Sequence, residues 1–165
     1  MELLKQDQNE PNCLACSAVM VIRHVAEMER PWYMGDLHLE NLFTFIGHRG
    51  QDELWPARTP PANLKGVHPQ EIIDWYMHFG YTLWLLERFP KSAPLGHESN
   101  PKMVWDGDDS DARFWKYLRI RSAILITQTH ALAWDGNNAY DPNGRIIQIK
   151  DLENLVFEAY VLVKL

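Results

Sequence analysis

Four residue types in this chain could carry chemistry: a pair of cysteines, a set of histidines, an acidic run and glutamines close to the cysteines. The cysteines, Cys13 and Cys16, stand three apart in "EPNCLACSAVMVI", and the chain has no others. Spaced C-x-x-C, they admit a redox pair, two metal ligands, two core thiols or one nucleophile with a neighbour. A thioredoxin-type pair follows a strand in a βαβ unit, whereas here a polar, proline-marked lead-in precedes it. A zinc site would have to recruit two of the seven histidines, and none follows the pair at finger-like spacing. The acidic run "DGDDSD" does not make a calcium loop either, because counting twelve positions from Asp106 reaches Tyr117 where a bidentate Glu is needed. Neither a metal nor another cofactor is therefore expected.

The nucleophile reading has a physical basis. Cys13 falls in the first turn of an expected helix, where unpaired N–H groups and the macrodipole favour an anion. A nearby imidazolium would depress the thiol further. Cys16, one turn deeper in an apolar helix, reads as a packed core thiol. Of the histidines, His24, His38, His48, His68, His78 and His97 fall on helices or loops with surface or capping roles. His130 differs because it opens the strand-like run "HALAW". Beyond the turn "DGNN" the chain returns as "AYDP", which can bring Asp141 beside His130 and orient its imidazole.

The elements that would position these residues follow from punctuation and period. Residues 2–12 read as an extended lead-in ending at Pro11, with Asn12 available to cap a helix over 13–28 that is apolar on most of its circumference. A second helix is expected over 34–47 with Asp36 as its cap, then a loop over 48–67. A third helix spans 68–80, with proline in its first turn and Gly80 at its end. A strand over 81–89 precedes a long loop over 90–111, whose acidic end caps a helix over 112–120. The last third turns to short apolar or alternating runs, 122–128, 129–142, 144–150 and 158–165, with a short helix at 152–157. Helices first and antiparallel strands afterwards define an α+β fold. The length of 165 residues and a 46% hydrophobic content suit a single domain spanning 1–165.

Together these features resemble the papain-like cysteine peptidases, in particular the branch containing the double-glycine leader peptidases of bacteriocin exporters. The resemblance rests on "QDQNEPNCLACSAVMVI" near the start, on "TH-A-L-A-W" and "AYDPNG" late in the chain, and on the closing strand, short helix and strand. It covers roughly the first 30 and last 45 residues. It implies a buried central helix packed on a C-terminal antiparallel sheet, with a triad of Cys13, His130 and Asp141. It also implies an oxyanion-hole glutamine: Gln6 is preferred and Gln8 is the alternative, seven and five residues before Cys13. Leu14 stands where the family often has glycine. Trp134, beside the histidine, could shield the pair or simply pack in the core.

The expected activity is hydrolysis of a peptide or isopeptide bond in a protein or peptide substrate. Acyl transfer by the same triad, an inactive fold acting as a protein-binding module, and a thiol redox protein are the alternatives. A net charge of −6 without a basic stripe argues against a nucleic-acid partner. No signal peptide or membrane span is expected, and two cysteines alone suit a reducing cytoplasmic setting or delivery into a host cell.

Overall fold

A computed structural model describes residues 1–6, 12–49, 67–88, 107–152 and 155–165. Within them lie five α-helices, one turn of 3-10 helix at Pro31–Tyr33, and six strands. The helices are α1 (Cys13–Glu29), α2 (Leu39–Arg49), α3 (Pro69–Met77), α4 (Gly107–Leu118) and α5 (Ile149–Leu152). The strands are β1 (Tyr81–Glu87), β2 (Ala123–Thr127), β3 (Ala131–Trp134), β4 (Asn138–Asp141), β5 (Arg145–Gln148) and β6 (Val156–Lys164). All six join one antiparallel sheet in the order β1-β6-β2-β3-β4-β5. The α+β class expected from the sequence is therefore observed.

Strand alternation sends side chains to two separate cores. Ile124, Ala131, Ala133, Tyr140 and Leu162 face a core built with α1, α2 and α3. Their sequence neighbours Ala123, Leu125, Leu132, Trp134, Ala139 and Val161 face a second core containing Phe114, Trp115 and Leu118 of α4. The sheet is thus covered on both faces. Helix α1 is central to the first core, with every residue from Ala15 to Ile22 buried. Its small residues let it lie close on the sheet, and the Tyr76 hydroxyl donates to the Ala18 carbonyl at 2.6 Å.

Several boundaries differ from the sequence expectation. Helix α2 begins at Leu39 rather than near Met34, because Met34–Asp36 close a turn behind the 3-10 segment and His38 Nδ1, not Asp36, accepts the Asn41 N–H at 3.2 Å. It also continues through His48 and Arg49, which the sequence suggested as loop. Residues 107–111, with Asp108, Asp109 and Asp111, belong to the helix α4 rather than to the loop before it. The short helix comes earlier than expected, at Ile149–Leu152, and β6 starts at Val156 within the span expected to be helical. There, pairing with β2 overrides local helical preference, Thr127 lying opposite Val156. The expected loops at 50–66 and 90–106 lie outside the described residues, as do Gln8, Pro11 and His97.

Candidate active site

Cys13 is the first residue of α1. Asn12 occupies the preceding cap position, yet its side chain makes no capping hydrogen bond to the helix, contrary to the sequence expectation. The first backbone bond of the helix runs from Cys16 N–H to Asn12 O at 2.9 Å. The N–H groups at the very start are therefore not consumed by the regular helical ladder. The Leu14 N–H and the Ala131 N–H from the start of β3 both favour the anionic form of the Cys13 sulfur.

His130 is held immediately before β3 by a tight β2–β3 connection. Thr127 N–H donates to the His130 carbonyl at 2.9 Å, while the Thr127 hydroxyl accepts the His130 N–H at 3.1 Å. The ladder accordingly begins at Ala131, paired with Ile126, so His130 precedes the strand instead of opening it. Its Nε2 lies 2.7 Å from Asp141 Oδ1. Asp141 ends β4 and is largely buried, and the same oxygen accepts the Asn143 N–H at 2.8 Å. Gly144, at a positive φ of 96°, closes this turn by donating its N–H to the Asp141 carbonyl at 2.8 Å.

The Cys13 thiol and the His130 imidazole act on one another electrostatically, each shifting the other's titration. With Nε2 committed to Asp141, Nδ1 is the ring nitrogen left for the sulfur. Burial by itself would raise the Cys13 pKa. The His130 imidazolium, with the Ala131 and Leu14 N–H groups, outweighs it and holds the thiol below its ordinary value. His130 moves the opposite way, up to about 9: its interaction with Cys13 is the largest cause, burial opposes it, and Asp141 adds to it. Both shifts favour a thiolate–imidazolium pair. Cys16 is fully buried, and its thiol is pushed up to about 11 by burial and by the neighbouring Cys13. These are the properties of a packed core thiol, and the chain contains no disulfide between the two cysteines.

Gln6 is brought to the same corner. Its N–H donates to the Pro142 carbonyl at 2.9 Å and its Nε2 to Asn143 Oδ1 at 2.9 Å, so the lead-in segment lies against the β4–β5 turn. Trp134, by contrast, is not a shield for Cys13 and His130. Alternation along β3 turns its ring into the second core, where it stacks edgewise on Trp115 and donates to the Leu118 carbonyl at 2.8 Å. Of the other histidines, His68 caps α3 in a reciprocal pair with Glu71, and His78 packs edgewise on Phe45.

Sequence reasoning did not single out Thr127, Asn143 or the Ala131 N–H. Thr127 and Asn143 carry ordinary turn signatures, and a backbone donor has none. Among the described residues no group of three or more His, Cys, Asp or Glu could hold a metal ion, and no helix is long and apolar enough to cross a membrane. A cleft of about 410 Å³ lined by Leu3, Leu4, Met20, Arg23 and His38 lies elsewhere and includes neither Cys13 nor His130. In comparisons with protein-family models, curated proteins and solved structures, nothing matches the chain.

Proposed function

We propose that the protein is a papain-like cysteine hydrolase that cleaves a peptide or isopeptide bond through a thioester on Cys13. One observation carries this reading: an imidazole whose Nε2 sits 2.7 Å from a buried carboxylate and which holds a helix-start thiol below its ordinary pKa. The order and roles fit the triad that the sequence resemblance implies.

In the reaction, the Cys13 thiolate attacks the substrate carbonyl carbon, forming a C–S bond. The oxyanion is met by the Cys13 N–H at the helix start and by Gln6. As the tetrahedral intermediate collapses, the C–N bond breaks and the leaving amine takes the proton from His130. Neutral His130 then accepts a proton from water as the water oxygen attacks the thioester. Release of the acid restores the thiolate and the imidazolium. Asp141 holds the imidazole in place throughout.

The test uses limiting iodoacetamide between about pH 5 and about pH 8, followed by mapping of the adduct. Selective, acid-tolerant alkylation of Cys13, weakened in a His130→Ala variant, is the expected result. Equal, slow labelling of Cys13 and Cys16 overturns the reading. The peptidase activity is then read by comparing new N-termini in a proteome treated with wild type or with Cys13→Ala. No wild-type-specific cleavage would turn the reading towards an inactive binding module.

A further inference from the structure

Gln6 and Asn143 meet through their carboxamides, and Asn143 also meets His130. Gln6 Nε2 lies 2.9 Å from Asn143 Oδ1, and Asn143 Nδ2 lies 3.4 Å from His130 Nε2. Gln6 Oε1 is buried and has no partner among the described residues. This hydrogen-bond arrangement contains two conflicts. His130 Nε2 donates its hydrogen to Asp141 Oδ1 at 2.7 Å, so it has no lone pair to accept from Asn143 Nδ2. Donor therefore faces donor. A buried carbonyl oxygen without a donor is destabilising, and here it would lie beside a site meant to stabilise an oxyanion.

Oxygen and nitrogen of a carboxamide exchange places on a half-turn of the terminal torsion. Turning both amides leaves the heavy-atom positions otherwise unchanged, removes the donor–donor conflict at His130, and exchanges the orphan oxygen for an NH2 awaiting an acceptor. Asn143 Oδ1 then faces the His130 N–H, Asn143 Nδ2 donates to Gln6 Oε1, and the Gln6 NH2 takes the unpartnered position. The two turns are coupled, because Asn143 can offer Gln6 a donor only when its own oxygen faces His130.

We propose that Asn143 is a positioning residue that reads the protonated Nε2 of His130 and thereby sets the Gln6 carboxamide with its NH2 free to donate to the oxyanion. The inference rests on the thioester reading above and adds to it a residue that acts through Gln6. It ties the orientation of the oxyanion donor to the imidazole that serves the same reaction. In the resting thiolate–imidazolium state the donor is already set, so no reorientation accompanies attack.

The test compares two reactions of Cys13. Acylation by p-nitrophenyl acetate develops an oxyanion, whereas alkylation by iodoacetamide displaces iodide and develops none. Their rate ratio isolates the oxyanion donors from thiolate reactivity. Gln6→Ala should lower that ratio by about 100-fold, the usual effect of losing one such donor. Asn143→Asp offers only acceptor oxygens, draws Gln6 Nε2 towards itself, and should lower the ratio to a similar degree with alkylation retained. The double variant should fall no further than either single one, since both remove the same donor. Asn143→Ala, which keeps no anchor, should give an intermediate loss and serves should the Asp variant fold poorly. An unchanged ratio in both Asn143 variants, with Gln6→Ala impaired, overturns the role of Asn143 and leaves the thioester reading intact. An unchanged ratio in Gln6→Ala also overturns the inference. Absence of any Cys13 acylation in the wild type overturns both.

Discussion

At the scale of single residues, the difference between Cys13 and Cys16 is one of address. Three positions apart in the same helix, they have opposite electrostatics: the first is lowered by His130 and two N–H groups, the second raised by burial. His130 shows the reciprocal effect. Its folded pKa of about 9 stands above its ordinary 6.5, so the stability it contributes is complete below about 6.5 and is lost as pH rises through about 9. Asp141 supplies part of that elevation through a hydrogen bond and its charge. In Asp141→Asn, histidine-labelled NMR should show the His130 titration moved down from about 9 towards 6.5. Cys13, facing a less stable imidazolium, should then deprotonate at higher pH in iodoacetamide profiles. An unmoved His130 titration would mean that Asp141 plays no electrostatic part.

At the scale of elements, the corner is assembled from three chain segments that meet at ends rather than along their lengths. The start of α1 gives Cys13, the β2–β3 connection gives His130, and the end of β4 gives Asp141. The lead-in segment adds Gln6 through a hydrogen bond from its N–H to the Pro142 carbonyl. Gly144 is the pivot of that contact. Its φ of 96° disfavours a side chain, and a Cβ there would sit 3.0 Å from Lys5 Cε, next to Gln6. Gly144→Ala should therefore cost about 1–3 kcal/mol in urea unfolding. Because the lead-in must shift, ester acylation should fall more than iodoacetamide alkylation. Equal losses in both reactions would show that the turn supports the Cys13–His130 pair directly.

At the scale of the whole molecule, a sheet covered on both faces divides support from chemistry. The α1 face carries the candidate site, while the α4 face holds Phe114, Trp115 and Trp134 in a separate core. Trp134→Phe removes the donor to the buried Leu118 carbonyl, at a cost of about 1–3 kcal/mol. Its iodoacetamide rate at Cys13, measured under conditions where the variant is folded, should match the wild type. A slower rate with unchanged unfolding would place Trp134 in the chemistry after all.

The sequence by itself determined the residues and the local elements whose signals are short-range. The helix beginning at Cys13 is written in an apolar run behind a polar lead-in, and the helix beginning at Pro69 in its proline and its helically spaced apolar residues. The β3–β4 hairpin is marked by "DGNN", and the contrast between Cys13 and Cys16 by their depth in one helix. Tertiary structure decided what depends on partners distant in the chain. It extended β6 back to Val156 by pairing with β2, and placed Trp134 on the far face from Cys13. It also held His130 just outside β3 through Thr127, and set Asn143 between Gln6 and His130. The physical reason is that hydrogen-bond competition at strand ends is settled by groups that only the folded chain brings together.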